Sequence, residues 1–154
     1  MTNFVNYVWS KKKRTVLRSL KQGDFFCFVL SEGKYGFGRL IAKLSMGHSV
    51  EIFDIALNDP VVPGNWSKLS VDFYEVVDSY SLFDKKSEGD WRVVGCAELE
   101  VKQDYRCVFF GYGSKGDRNK VNLLGEKFSC DEEEYIKLPP YRPAGNKSIL
   151  ARMQ

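Results

Sequence analysis

The chain has 154 residues, 44% hydrophobic and 14% aromatic, with a formal net charge of +3 and a sequence pI near 8.6. That length supports a hydrophobic core without disulfides or metal, and that composition excludes disordered and collagen-like chains. A charge so near neutrality falls short of the strongly basic footprint of a dedicated nucleic-acid binder and by itself names no partner.

The first five residues lack the basic and apolar regions of a secretory signal, and no window is apolar enough for a membrane span. A soluble chain in a reducing cytoplasm is therefore expected. Residues 10–22 carry Lys11, Lys12, Lys13, Arg14, Arg18 and Lys21 around Val16, Leu17 and Leu20, which predicts a short amphipathic helix or arm. Two readings stay open there: a phosphate-contacting patch, or a solvated segment that covers a sheet edge.

Residues 21–30 and 34–44 are runs rich in Phe, Val, Leu and Ile that flank a polar stretch holding Gly33, the pattern of a β-hairpin with a three- to five-residue loop. Gly36 and Gly38 inside the second run predict a bulge, a bend or a close backbone approach. A bent strand here starts a strongly twisted sheet or a small barrel. Residues 45–49 read as a turn holding His48, the only histidine, and residues 50–57 as a third antiparallel strand. A lone turn histidine lacks the acid and the nucleophile that general-base chemistry requires.

Pro60, Pro63 and Gly64 make residues 58–65 a loop. Residues 69–77 read as a strand continued at 80–83, residues 84–90 as a charged turn, and residues 91–96 as another strand. Residues 105–110 are the next strand candidate, and behind them Gly111, Gly113 and Gly116 fit the dinucleotide pattern GxGxxG. That pattern grips a pyrophosphate only where the glycine turn opens a helix in a βαβ unit, and residues 117–125 leave no room for one. A glycine-rich loop between two strands is expected instead, a common seat of binding contacts.

Asp131, Glu132, Glu133 and Glu134 form the densest acidic cluster, read either as a solvated face or as a surface that steers a basic partner. Residues 135–138 predict a last short strand, residues 139–143 an extended Pro-rich arm, and Asn146 the N-cap of a terminal helix. Cys27, Cys96, Cys107 and Cys130 are widely spaced with no CxxC pair, which argues against a zinc site. Cysteines inside apolar runs act as small buried hydrophobes. The whole reads as one mainly β (α+β) domain over residues 1–154, with a basic segment at 10–22, a β core over 23–138, and an arm and helix over 139–154. Its sheet is strongly twisted and antiparallel, or a small partly open barrel, with a short helix at each end. No catalytic constellation emerges, and no cofactor, metal or membrane partner is expected.

After the basic lead-in, the segments Gly23-Asp24-Phe25-Phe26-Cys27-Phe28-Val29-Leu30, Gly33-Lys34-Tyr35-Gly36-Phe37-Gly38-Arg39-Leu40, Ile52-Phe53-Asp54 and Trp91-Arg92-Val93-Val94-Gly95 resemble the immunity protein 26 family of bacterial polymorphic and contact-dependent toxin systems. The resemblance implies an antitoxin without catalysis, which binds a cognate toxin domain and blocks its active site or substrate surface. It also implies scaffold roles for Gly23, Asp24, Tyr35, Gly36, Gly38 and Arg39, with Asp24 capping its turn and Arg39 paired with an acid such as Asp54. The toxin-binding face is expected on loops and charged segments: Tyr112, Lys115, Asp117 and Arg118 with Glu132, Glu133 and Glu134. Two rivals stay open. One is a nucleic-acid-binding β-barrel module using the basic segment and exposed rings. The other is a small-barrel ribonuclease, which a single histidine serves poorly.

Overall fold

The apolar run after Gly23 closes on the run after Gly33 as an antiparallel hairpin, and the rest of the larger sheet grows from it. The computed structural model describes residues 3–153; Met1, Thr2 and Gln154, the outermost residues of the expected domain, lie outside that range. Six strands, β1 (Val5–Asn6), β2 (Asp24–Ser31), β3 (Lys34–Leu44), β4 (Gly47–Phe53), β5 (Val71–Val77) and β6 (Trp91–Cys96), form one sheet in the order β1-β6-β2-β3-β4-β5. Three more, β7 (Phe109–Ser114), β8 (Asp117–Asn122) and β9 (Lys127–Ser129), form a second sheet in sequence order. Every ladder is antiparallel, as expected, and among the described residues neither sheet closes into a barrel.

The hairpin loop is tighter than its predicted three to five residues. Ser31 pairs with Lys34, so only Glu32 and Gly33 turn the chain, and Gly33 takes φ 74°, which glycine adopts without a Cβ penalty. Gly36 and Gly38 sit in regular register opposite Phe28 and Phe26. A Cβ on Gly36 would stand 2.6 Å from the Phe28 ring, and one on Gly38 would stand 2.3 Å from the Phe26 ring. The glycines therefore serve close approach, and the bulge falls beyond them, between Leu40 and Ala42.

Both faces of the larger sheet are covered, which explains why its central strands read as continuous apolar runs. Phe26, Phe28, Val50, Ile52 and Trp91 point to one face, with the Phe28 and Trp91 rings stacked at 4.2 Å. Phe25, Cys27, Phe37 and Phe53 point to the other, and beside them Ile41 and Val76 meet Phe110 and Val121 of the second sheet.

Several local expectations are overturned. Residues 80–83 do not extend β5: Tyr80–Asp84 is a π-helical turn. Consecutive Leu82 and Phe83 are both fully buried, and a turn aims both inward where a strand would separate them. The Asp84 carboxylate accepts from Leu17 N–H at 2.8 Å and from Arg14 at 2.6 Å, and those bonds hold it below the usual carboxylate range. They pin the basic segment in place, where the predicted helix shrinks to a 3-10 turn at Leu17–Ser19. The strand expected over 105–110 begins later, because α1 (Asp104–Cys107) turns Tyr105 inward before β7 starts.

The strand expected over 135–138 is absent. Asp131 instead caps α2 (Glu132–Tyr135), accepting from Glu134 N–H at 2.8 Å, and three acidic residues in that first turn suit the helix dipole. The terminal helix is present as α3 (Asn146–Arg152), although Gly145 occupies the N-cap position. Asn146 accepts from the Trp91 indole N–H at 2.8 Å instead, and Ile149 is fully buried in the core of the larger sheet.

Candidate functional site

The polar side chains gather in two constellations, one buried and one lining a surface cleft. The first lies inside. Arg39 and Glu51 are cross-strand neighbours and both are buried. Arg39 donates to the carbonyls of Ala97 at 2.8 Å and Glu98 at 2.9 Å, and its guanidinium lies 4.6 Å from the Phe25 ring centre. This overturns the expected pairing with Asp54, which is exposed, since buried carbonyls took the donors first. Glu51 accepts from Tyr105 Oη at 2.9 Å and Lys102 Nζ at 3.4 Å. Burial, then the Glu51 charge, drives the Tyr105 phenol upward, while burial draws Arg39 downward. Asp24 accepts from Lys21 N–H at 2.9 Å, the turn cap implied for it, and burial lifts its carboxyl. All of these bonds are made within the fold.

His48 belongs to the same category, although not where it was expected. It stands in β4 rather than in a turn, 2% exposed, with Nδ1 2.6 Å from Ser79 Oγ. A serine and a histidine in contact invite a nucleophile reading, but Ser79 is wholly buried and the neighbouring Asp78 carboxylate is engaged by Ser81. Burial, with Lys43 nearby, pushes His48 down to about 4, so it is neutral at ordinary pH.

The second constellation faces out. Lys115 and Gly116 form the β7–β8 turn, Gly116 at φ 91°, so the expected glycine loop is mostly strand with a tight tip. Period-two alternation then places Arg118 and Lys120 on the outer face of the second sheet, opposite the face where Phe110 and Val121 are buried. Arg118 donates to both oxygens of Glu132, at 3.0 and 3.3 Å, and stacks 3.8 Å from the Tyr135 ring centre. Its other arm reaches the Gly113 carbonyl. Lys120 meets Glu134 at 2.5 Å and lies 4.3 Å from the Phe109 ring centre.

Lys115, Asp117, Arg118 and Glu132 thus line one open cleft of about 420 Å³, together with Ser129, Cys130 and Asp131. Glu134 and the exposed Glu133 lie on α2 beside it. Tyr112 stands apart from the group, on the opposite face against Tyr141 at 5.7 Å. Phe109, Lys120, Phe128 and Tyr135 were not picked out from the sequence. The available signal was the shared spacing of two, Arg118 and Lys120 against Glu132 and Glu134. The basic segment of residues 10–22 is elsewhere, with Lys12 Nζ over Tyr7 at 4.4 Å and Arg14 on Asp84.

The family model for Immunity protein 26 matches residues 21–122, which run from the Asp24 turn through the larger sheet to the end of β8. The chain belongs to the immunity protein 26 family. No curated protein and no solved structure matches it. The matched span includes the Arg39–Glu51 scaffold and one flank of the cleft, while β9, α2 and α3 lie outside it.

Proposed function

We propose that the chain is an antitoxin: it binds a cognate bacterial toxin domain and covers that domain's active site or substrate surface, making and breaking no bond itself. Family membership over residues 21–122 is the observation that carries this reading. The binding face is the outer side of the second sheet, where Lys115, Asp117, Arg118, Glu132, Glu133 and Glu134 gather, with Tyr112 steadying the hairpin from behind. Held ion pairs such as Arg118 with Glu132 preorganise that face, which lowers the ordering cost of association. Arginine and tyrosine together are the residue types that anchor interfaces most strongly. The site of action is the cytoplasm; among the described residues no helix is long and apolar enough to cross a membrane.

The test is co-expression with the C-terminal domain of a large secreted protein encoded in the adjacent upstream reading frame. Cells making that domain alone are expected to stop growing, and cells making both are expected to grow. Growth arrest that persists despite soluble, folded chain would remove the proposal.

A further inference from the structure

The second sheet has one closed edge and one open edge. Residues 139–141 run beside β7: Gly111 N–H donates to Pro139 O, and Tyr141 N–H to Gly111 O, each at 2.8 Å. No strand lies beyond β9 among the described residues. The bonds flanking β9 fix which of its groups face outward. Cys130 N–H donates to Arg118 O at 3.0 Å and Asn122 N–H to Glu126 O at 3.1 Å, so the even-numbered residues turn their backbone toward β8. Lys127 and Ser129 must then turn N–H and C=O away from the sheet. Among the described residues nothing pairs with those groups. Between them stands Phe128, 47% exposed, its ring edge-on to Phe109 at 6.0 Å.

We infer that β9 is the docking edge for the toxin, which contributes an extended segment that adds to this sheet as a further strand. The segment hydrogen-bonds to the backbone of Lys127 and Ser129 and lays an apolar side chain on Phe128. Past Ser129 the edge leads into the cleft, where Asp117 has no ion-pair partner among the described residues, so a lysine or arginine of the segment fits there. This inference rests on the toxin-binding reading above and adds the mode of contact.

A second copy of the chain is the competing occupant, and the charge pattern disfavours it. Antiparallel self-pairing centred on Phe128 sets Glu126 of one copy across from Cys130 and beside Asp131 of the other, placing like charges together along the ladder. The same acids favour a basic segment. An edge of only three residues also recruits strands poorly by backbone alone, which leaves selection to Phe128 and the cleft.

Ser129→Pro deletes an outward N–H that is not part of the β8 ladder, and proline is tolerated at such edge positions. Lys34→Ala is the control, since it trims an exposed side chain at the start of β3 in the larger sheet, away from β9. Binding to the adjacent-frame toxin domain is measured by titration calorimetry, and amide hydrogen exchange is read in free and bound wild-type chain. The expected result is at least about a tenfold loss of affinity for Ser129→Pro with little for Lys34→Ala, and slowed exchange at Lys127 and Ser129 in the complex. Wild-type chain that binds the toxin while Ser129→Pro binds equally well overturns the edge and leaves the antitoxin reading standing. Unchanged exchange at both amides in the complex does the same, and decides the matter if the proline variant fails to fold. Protection that appears on concentrating the chain alone identifies a self-paired edge and also overturns it. Absence of any wild-type binding removes both readings.

Discussion

Arg39 and Glu51 face each other across β3 and β4, and between them they hold the two ends of the connector that links the larger sheet to the second. Arg39 takes the carbonyls of Ala97 and Glu98, and Glu51 takes Lys102 and Tyr105. Arg39→Met leaves those carbonyls without their side-chain donors and removes one of the two cations near Glu51, Lys102 at 3.4 Å being the other. The expected loss is about 3 kcal/mol, read as a lower urea midpoint at unchanged slope. Glu51→Gln keeps an acceptor for Tyr105 and is expected to lose about 1 kcal/mol.

Gly38 has no room for a side chain. Its Cβ would meet Phe26 at 2.3 Å and the Glu51 carbonyl at 2.7 Å, and the second of these is backbone that cannot swing aside. Gly38→Val is expected to cost about 3 kcal/mol or more through overpacking. Gly64→Ala, with nothing within 4 Å, is expected to melt with the wild type. Thermal melts of the two variants check the contrast.

His48 makes stability fall in mild acid. Folded His48 stays neutral down to about 4, against an ordinary value of 6.5, so between those limits the unfolded chain binds the extra proton. Stability is therefore full above 6.5 and declines as pH drops toward 4, by about 2 kcal/mol between pH 7 and pH 5. Asp24, its carboxyl lifted by burial, works in the opposite sense, so the wild type is compared with His48→Asn, which should flatten the slope. Urea unfolding at pH 7 and pH 5 gives both.

Ile149 ties α3 into the core of the larger sheet although it lies outside the span matched to the family. Ile149→Ala is expected to cost about 3 kcal/mol, the range for emptying a fully buried aliphatic site. Asn146→Ala, which orphans the Trp91 indole N–H, should cost about 1 to 2 kcal/mol. Chemical denaturation of each variant measures the loss.

The hairpin of β2 and β3 was legible because its residues obey local rules: a glycine at the turn, and apolar runs long enough for strands buried on both faces. The family motif was legible for the same reason. Short helices were missed where tertiary burial overrode the pattern. Leu82 and Phe83 look like strand residues until the core claims both, and Tyr105 looks the same until Glu51 claims its hydroxyl. At 135–138 the Asp131 cap was the decisive local signal, hidden by reading the acidic cluster as charge alone. The partner of Arg39 could not be read from sequence, since backbone carbonyls leave no mark on the residues that bear them.

Pro140 bridges to Gly111 at the edge of the second sheet, and Ala144 bridges to Val77 at the edge of the larger one. A single late stretch thus borders strands translated well before it. Until these residues are in place, β5 and β7 each lack a neighbour on one side and the Trp91 indole lacks its amide partner, so both margins stay open to other chains during synthesis.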